Sequence, residues 1–228
     1  IALACAAEGA AIAVLARTAD EVAETAWLIE EQGGRAIALS GDVRVASELH
    51  QVAAEVQERL GPIAILVNSA GVGLRVPVQE TTEEQWDAVV NTLLKGTFLA
   101  SQAVLPQMIA QGGGNIINLG APLDKIATPG FAAYYAAKCG VDGLTKVMAK
   151  DLRRHGINVN AVHPGGFADT QMVRSVVPEV RTGLLSPDSI APAVVYLASL
   201  QPRIQTGQTI DAHSWAEPGS ENSPKVGA

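Results

Sequence analysis

The sequence predicts a single α/β domain, a doubly wound, Rossmann-like parallel sheet with helices on both faces. Two observations point there. Short apolar runs alternate with longer helical ones along the whole chain. The short runs are also continuously apolar rather than alternating, as strands covered on both faces are. A length of 228 residues supports one large core rather than two small ones.

The elements follow in order. Ile1 to Ala7 reads as helix with no strand before it. Ala11 to Ala16 is a buried strand, and Ala19 to Gln32 a helix stopped by Gly33-Gly34. Arg35 to Ser40 is a strand, and Val45 to Leu60 a helix ended by Gly61-Pro62. Ile63 to Val67 is a strand, followed by a long helix from about Glu83 to Gln111. Asn115 to Leu119 is a strand, Pro129 to His155 mostly helix, and Ile157 to Val162 a strand. Pro187 to Ser199 is a helix, and Gln208 to Asp211 a short last strand. The domain is expected over residues 1–213. From Ser214 to Ala228 the chain is polar, rich in Pro, Gly and Ser, and aperiodic, as a loose tail is.

Composition narrows the function classes. Hydrophobic residues at 48% and charged residues at 17% describe a globular chain, not a disordered one. A net charge of −7 argues against nucleic acid as a partner. No apolar stretch runs the width of a bilayer without charge, Gly or Pro, and the apolar start lacks the basic flank of a secretory signal, so no membrane partner is expected. Cys5 and Cys139 are too few for a disulfide scaffold and suit a cytoplasmic protein. No His, Cys, Asp and Glu cluster has metal-ligand spacing, so no metal is expected.

The sharpest chemical signal is Tyr134 followed by Lys138. Positions i and i+4 share a helix face. A cation beside a phenol favours the phenolate and brings its pKa, roughly 10 when free, toward neutrality. Such a pair is a proton-transfer device.

Other segments give this pair a context. Gly41-Asp42-Val43 follows a strand, as does Asn68-Ser69-Ala70-Gly71. Trp86 to Phe98 closes on Lys95-Gly96-Thr97-Phe98, and Pro129-Gly130 precedes the tyrosine. Asn158 to Gly165 ends His163-Pro164-Gly165, and Thr206-Gly207-Gln208 leads into the last strand. In this order the motifs resemble the short-chain dehydrogenase/reductase family from Ile1 to about Asp211. The resemblance implies a nicotinamide dinucleotide across the carboxyl ends of the strands. It implies cofactor contacts from Asp42, Val43, Asn68, Ala70, Gly71, Tyr134, Lys138, Pro164, Gly165 and Thr170. Asp42 would accept from the adenine amino group, while Ala70 and Gly71 allow close backbone approach. Pro164 and Gly165 would wall the nicotinamide. The family holds the ribose 2′-hydroxyl of NAD with an acid at the end of its second strand. Here Ala16 stands there and Arg17 follows, which suits the extra phosphate of NADP(H) over NAD(H).

Three departures from the family stand out. Its opening strand and glycine-rich turn have no counterpart before Ile1. That strand is central, so the sheet is expected to carry a gap, and about two dozen further residues are expected ahead of Ile1 in the natural protein. A chain without them is expected to bind the dinucleotide poorly. The family's catalytic serine lies thirteen residues before the tyrosine, where this chain has Ala121. Asp124 and Thr128 are the polar residues near enough in sequence to replace it. The family's helix asparagine lies seven residues after the tryptophan, where this chain has Leu93, with Asn91 about 200° away on a regular helix.

The expected function is therefore an NADP(H)-dependent oxidoreductase. It would transfer hydride between nicotinamide and a small carbonyl or alcohol substrate, with Tyr134 handling the proton and Lys138 lowering the phenol's pKa. Ala121 would impair it. The alternative is a catalytically weak dinucleotide-binding or structural subunit of a homodimer or homotetramer, and a third reading is a remnant without function. Steroid, sugar, acyl and simple alcohol substrates all fit the sequence. His163 reads either as a residue of the cofactor cleft or as a satisfied strand-end residue.

Overall fold

The computed structural model describes residues 1–215. A short helix α1 (Ala2–Ala7) leads into β1 (Ile12–Ala16), α2 (Ala19–Glu31), β2 (Ala36–Ser40), α3 (Ala46–Leu60) and β3 (Ile65–Asn68). A long helix follows in three pieces: α4 (Glu83–Val90), a π-turn (Asn91–Lys95) and α5 (Gly96–Ala110). Then come β4 (Gly114–Leu119), α6 (Leu123–Ile126), α7 (Ala132–Leu152) with a closing 3₁₀ turn (Arg153–His155), and β5 (Ile157–His163). The described chain ends through α8 (Gln171–Val176), a 3₁₀ turn (Pro187–Ile190), α9 (Ala191–Ala198) and β6 (Thr209–Asp211). The helices α6 and α8 were not expected from the sequence.

All pairings between strands among the described residues are parallel, in two sheets: β1 with β2, and β3-β4-β5-β6 in that order. No ladder joins β1 to β3, which is the gap expected from the sequence. The two halves share packing instead. Ile12 of β1 and Ile65 of β3 both pack on the cluster built around Ile117, Val162, Val194 and Leu197. Leu15 and Leu66 both pack against Leu49, Ala53, Ala100 and Ala103. β4 and β5 are the most buried strands, with Ile116, Val159 and Val162 fully enclosed, because helices cover both of their faces.

The span Glu83–Ala110 is long and apolar enough to cross a membrane by length and composition, but half of its most apolar window is buried inside the domain. Thr82 starts it with a capping box: its hydroxyl accepts from the Gln85 N–H, and the Gln85 side chain accepts from the Thr82 N–H. Most of the polar tail expected from Ser214 lies outside the described residues. Trp215 is described, and its ring lies 5.4 Å from that of Tyr196.

Candidate active site

The carboxyl ends of β1 to β5 carry most of the sequence-predicted residues, α7 supplies the reactive pair, and Thr170 stands at the start of α8. Tyr134 and Lys138 stand one turn apart on α7, on the face turned toward the domain. The Tyr134 ring packs against Val89, Leu93, Ala133 and Ala137 and meets Phe131 edge-on at 6.1 Å. Lys138 is 7% exposed and donates from Nζ to the Leu119 carbonyl at 2.6 Å, where β4 ends. Its Nζ lies 5.7 Å from the centre of the Tyr134 ring.

The pair's electrostatics differ from the sequence expectation. Burial pushes the Tyr134 phenol up to about 12. Burial also brings the Lys138 ammonium down to about 8. The expected depression of the phenol by Lys138 is absent in this arrangement. Desolvation of each group outweighs their mutual attraction, because the ammonium faces the ring and a backbone carbonyl rather than the hydroxyl. The site therefore stores a neutral phenol, a proton donor at rest.

Ala121 is buried and lines a cavity of about 170 Å³ with Gly120, Lys138, Asp142, His163 and Thr209. Asp124 lines the same cavity, whereas Thr128 lines a separate groove beside Tyr135. Of the two candidate replacements for the absent serine, only Asp124 is thus near Ala121. Leu93 is 2% exposed and lies 3.4 Å from where a side chain on Gly71 would begin. The helix is irregular at that point, and Leu93 joins the apolar cluster beside Tyr134.

The adenine end is built around Asp42. The Arg44 guanidinium grips its carboxylate through Nε at 3.0 and 2.9 Å and through a terminal nitrogen at 2.5 Å. Those hydrogen bonds hold the Asp42 carboxyl near 2, and the charge on Arg17 adds to the effect. Arg17 is exposed at the end of β1. Val43 packs on Gly96, where a Cβ would come within 2.8 Å of it. Ser69, Ala70 and Gly71 are exposed and carry nothing larger than a hydroxyl, so a flat ring system can lie against their backbone. These features fit the dinucleotide that the sequence implies.

Two predicted contacts are engaged elsewhere. The Asn68 amide donates to Ser101 Oγ at 3.2 Å and to Asn118 Oδ1 at 2.9 Å, tying β3 to α5 and β4 inside the domain. Thr170 caps α8, its hydroxyl accepting from the Val173 N–H at 3.2 Å. Pro164 and Gly165 form a turn after β5, with Gly165 at φ +78°.

Sequence reasoning missed Asp142, which accepts from Thr209 at 2.7 Å and Lys146 at 2.6 Å. Burial alone would raise its carboxyl, but these hydrogen bonds outweigh that and lower it. Its position one turn beyond Lys138 was a usable signal. The exposed ion pair of Arg75 with Glu179 was missed as well. It ties the loop after β3 to the segment after α8, and nothing in its sequence spacing announces it.

A model of the short chain dehydrogenase family matches residues 1–181. A 3-oxoacyl-(acyl-carrier-protein) reductase of Staphylococcus aureus is 37% identical over 222 residues, 92% of this chain and 89% of that protein. The crystal structure of a gluconate 5-dehydrogenase from Burkholderia cenocepacia, in complex with NADP and tartrate, superposes with a TM-score of 0.85 at 32% identity, covering 92% of this chain and 88% of the other. A variant actinorhodin polyketide ketoreductase with NADPH also gives a TM-score of 0.85, at 31% identity over 92% and 89% of the two chains.

Proposed function

The chain belongs to the short-chain dehydrogenase family and is a nicotinamide-dependent oxidoreductase of that type, and from that premise we propose that it uses NADP(H) to interconvert a small carbonyl compound and its alcohol, slowly. When bound, the dinucleotide supplies hydride at its nicotinamide carbon. The remaining steps belong to the chain. Asp42, held by Arg44, accepts from the adenine amino group, and Arg17 meets the 2′-phosphate. Val43, Ala70 and Gly71 let the backbone lie close to the rings. Pro164 and Gly165 would wall the nicotinamide, and the Thr170 hydroxyl would donate to its amide. Tyr134 would donate the phenolic proton to the carbonyl oxygen as the alcohol forms, and Lys138 would donate to the ribose hydroxyls. Asn68 acts indirectly, by fixing the end of β3.

The observation that carries this reading is the half-buried Tyr134 held one helical turn from the buried Lys138 ammonium at the carboxyl end of β4, with burial keeping the phenol neutral. Its test is a fluorescence titration with NADPH and NADH, then turnover of a carbonyl panel by the wild type and Tyr134→Phe. Preference for NADPH, with turnover lost and affinity kept in Tyr134→Phe, supports it. Equal affinity for both cofactors removes the role given to Arg17.

A second reading has its own support. Ala121 and Leu93 replace the two polar helpers with apolar side chains packed into the site, which suits a dinucleotide-binding or structural subunit of a homodimer or homotetramer. NADPH binding without turnover of any carbonyl would favour it. With both cysteines free, we place the protein in the cytoplasm.

A further inference from the structure

His163 ends β5 and its side chain is 14% exposed. Its Nδ1 accepts the Gly165 N–H at 3.1 Å. That bond requires a lone pair on Nδ1, so the neutral ring carries its proton on Nε2. The Gly165 turn is held from two other sides. Lys125 of α6 donates to the Gly165 carbonyl. A Cβ on Gly165 would collide with Asp211 Oδ1, so β6 presses directly against the turn. Asp211 Oδ1 lies 4.0 Å from His163 Nδ1 and accepts the His213 N–H at 3.0 Å.

We propose that His163 is a positioning residue for the nicotinamide end of the site: its neutral Nδ1 anchors the Pro164–Gly165 turn, and protonation moves that nitrogen from the Gly165 N–H to Asp211 and releases the turn at its amide. The functional half of this inference rests on the reading above, in which the turn walls the nicotinamide. A protonated Nδ1 is a donor and cannot face the Gly165 N–H. The Asp211 carboxylate offers an acceptor less than an ångström farther away than the glycine nitrogen.

The charged groups around the ring come from three elements. Asp211 lies on β6, Asp124 and Lys125 on α6, and Lys138 and Asp142 on α7. Burial lowers the imidazole pKa most, and Lys125 lowers it further. Asp211, Asp124 and Asp142 act in the opposite direction, and the balance falls below the ordinary 6.5. The ring is therefore neutral near neutral pH and the anchor is in place, and acidification releases it.

The test has two arms. In the cofactor-free protein, amide exchange of Gly165, corrected for intrinsic rates, is followed by NMR together with the His163 ring resonances. Protection that is lost with the imidazole titration supports the anchor. Protection that ignores the titration overturns it, whether or not the protein binds a dinucleotide. In the second arm NADPH is titrated against wild type, His163→Ala and His163→Asn over the same pH range. An adenosine bisphosphate fragment without nicotinamide serves as control. The asparagine oxygen can take the place of Nδ1 but does not titrate. His163→Ala should weaken NADPH binding by about tenfold at neutral pH, the scale of one buried N–H left unpaired. His163→Asn should restore most of that loss and remove the part of the acid dependence that wild type shows beyond it. The fragment should not distinguish the three proteins. An asparagine variant that keeps the full wild-type pH dependence, or a fragment that loses affinity in parallel with NADPH, would overturn the proposal. Failure of wild type to bind NADPH at any pH would instead sink the cofactor reading, leaving the exchange arm to decide the anchor.

Discussion

Replacing Lys138 with methionine should make the cofactor-free protein more stable near neutral pH. Methionine keeps the apolar stem and removes the ammonium. The lysine pKa falls from 10.5 to about 8 on folding, a difference of about 2.5 units. At 1.36 kcal/mol per unit this corresponds to about 3 kcal/mol of cost for burying the charge. Losing the hydrogen bond to the Leu119 carbonyl offsets about 1 kcal/mol of the gain, leaving about 2 kcal/mol. A lysine held below its unfolded value binds its proton more readily in the unfolded chain. The cost is therefore fully present below about pH 8, shrinks as pH rises, and vanishes near pH 10.5. Urea unfolding of wild type and Lys138→Met at several pH values measures the difference directly, because titrations shared by both proteins cancel. A variant more stable below pH 8, with the gap closing above it, is the expected result. A variant equally stable or less stable at every pH would refute the argument that desolvation dominates at this position.

Ala121→Ser should raise kcat by about 10²–10³-fold, the value of one preorganised donor to a developing oxyanion. NADPH affinity should stay the same, and unchanged turnover would remove Ala121 as the cause of slow catalysis. Arg17→Ala should weaken NADPH binding by about tenfold or more while leaving NADH unaffected, since only the former offers a phosphate for a charge-assisted bond; paired titrations check the ratio. Gly73→Val should loosen α8, because a Cβ there would lie 2.5 Å from Val176 Cγ2 and 3.1 Å from Met172 Cγ. The overpacking should cost about 1–3 kcal/mol, read as faster proteolysis within Gln171–Val176 at unchanged far-UV circular dichroism.

The strand and helix order was legible because β1, β2 and β3 are nearly unbroken apolar runs, β4 and β5 keep enough Ile and Val around their buried asparagines to read as strands, and most helices end near glycine or proline. The shift from Val45 to Ala46 at the start of α3, and similar small shifts elsewhere, reflect end residues whose backbone bonds are shared between helix and loop. The helices α6 and α8 are four and six residues long, too short to show a period. The π-turn was invisible because Asn91–Lys95 continues the apolar pattern of the helix around it. In the site, the i, i+4 spacing revealed Tyr134 and Lys138 but not the direction of the phenol's shift. That depends on burial by Val89 and Leu93, which are far from it in sequence. Asn68 sits within a motif that implies a cofactor contact, yet its amide is satisfied by Ser101 and Asn118. Only the folded chain brings those partners within reach.

The π-turn also has a geometric effect on the surface of the long helix. Trp86 and Phe98 are twelve residues apart and are 40% and 45% exposed. On an uninterrupted α-helix that spacing would rotate them roughly 120° apart. A wide turn that absorbs one residue brings the pair back to within about 20°. The phase slip at Asn91–Lys95 thus aligns two aromatic rings along one stripe of the helix. Deleting a single residue there would restore an ordinary helix with the rings eleven residues apart, still about 20° from each other, so the stripe would survive the loss of the wide turn.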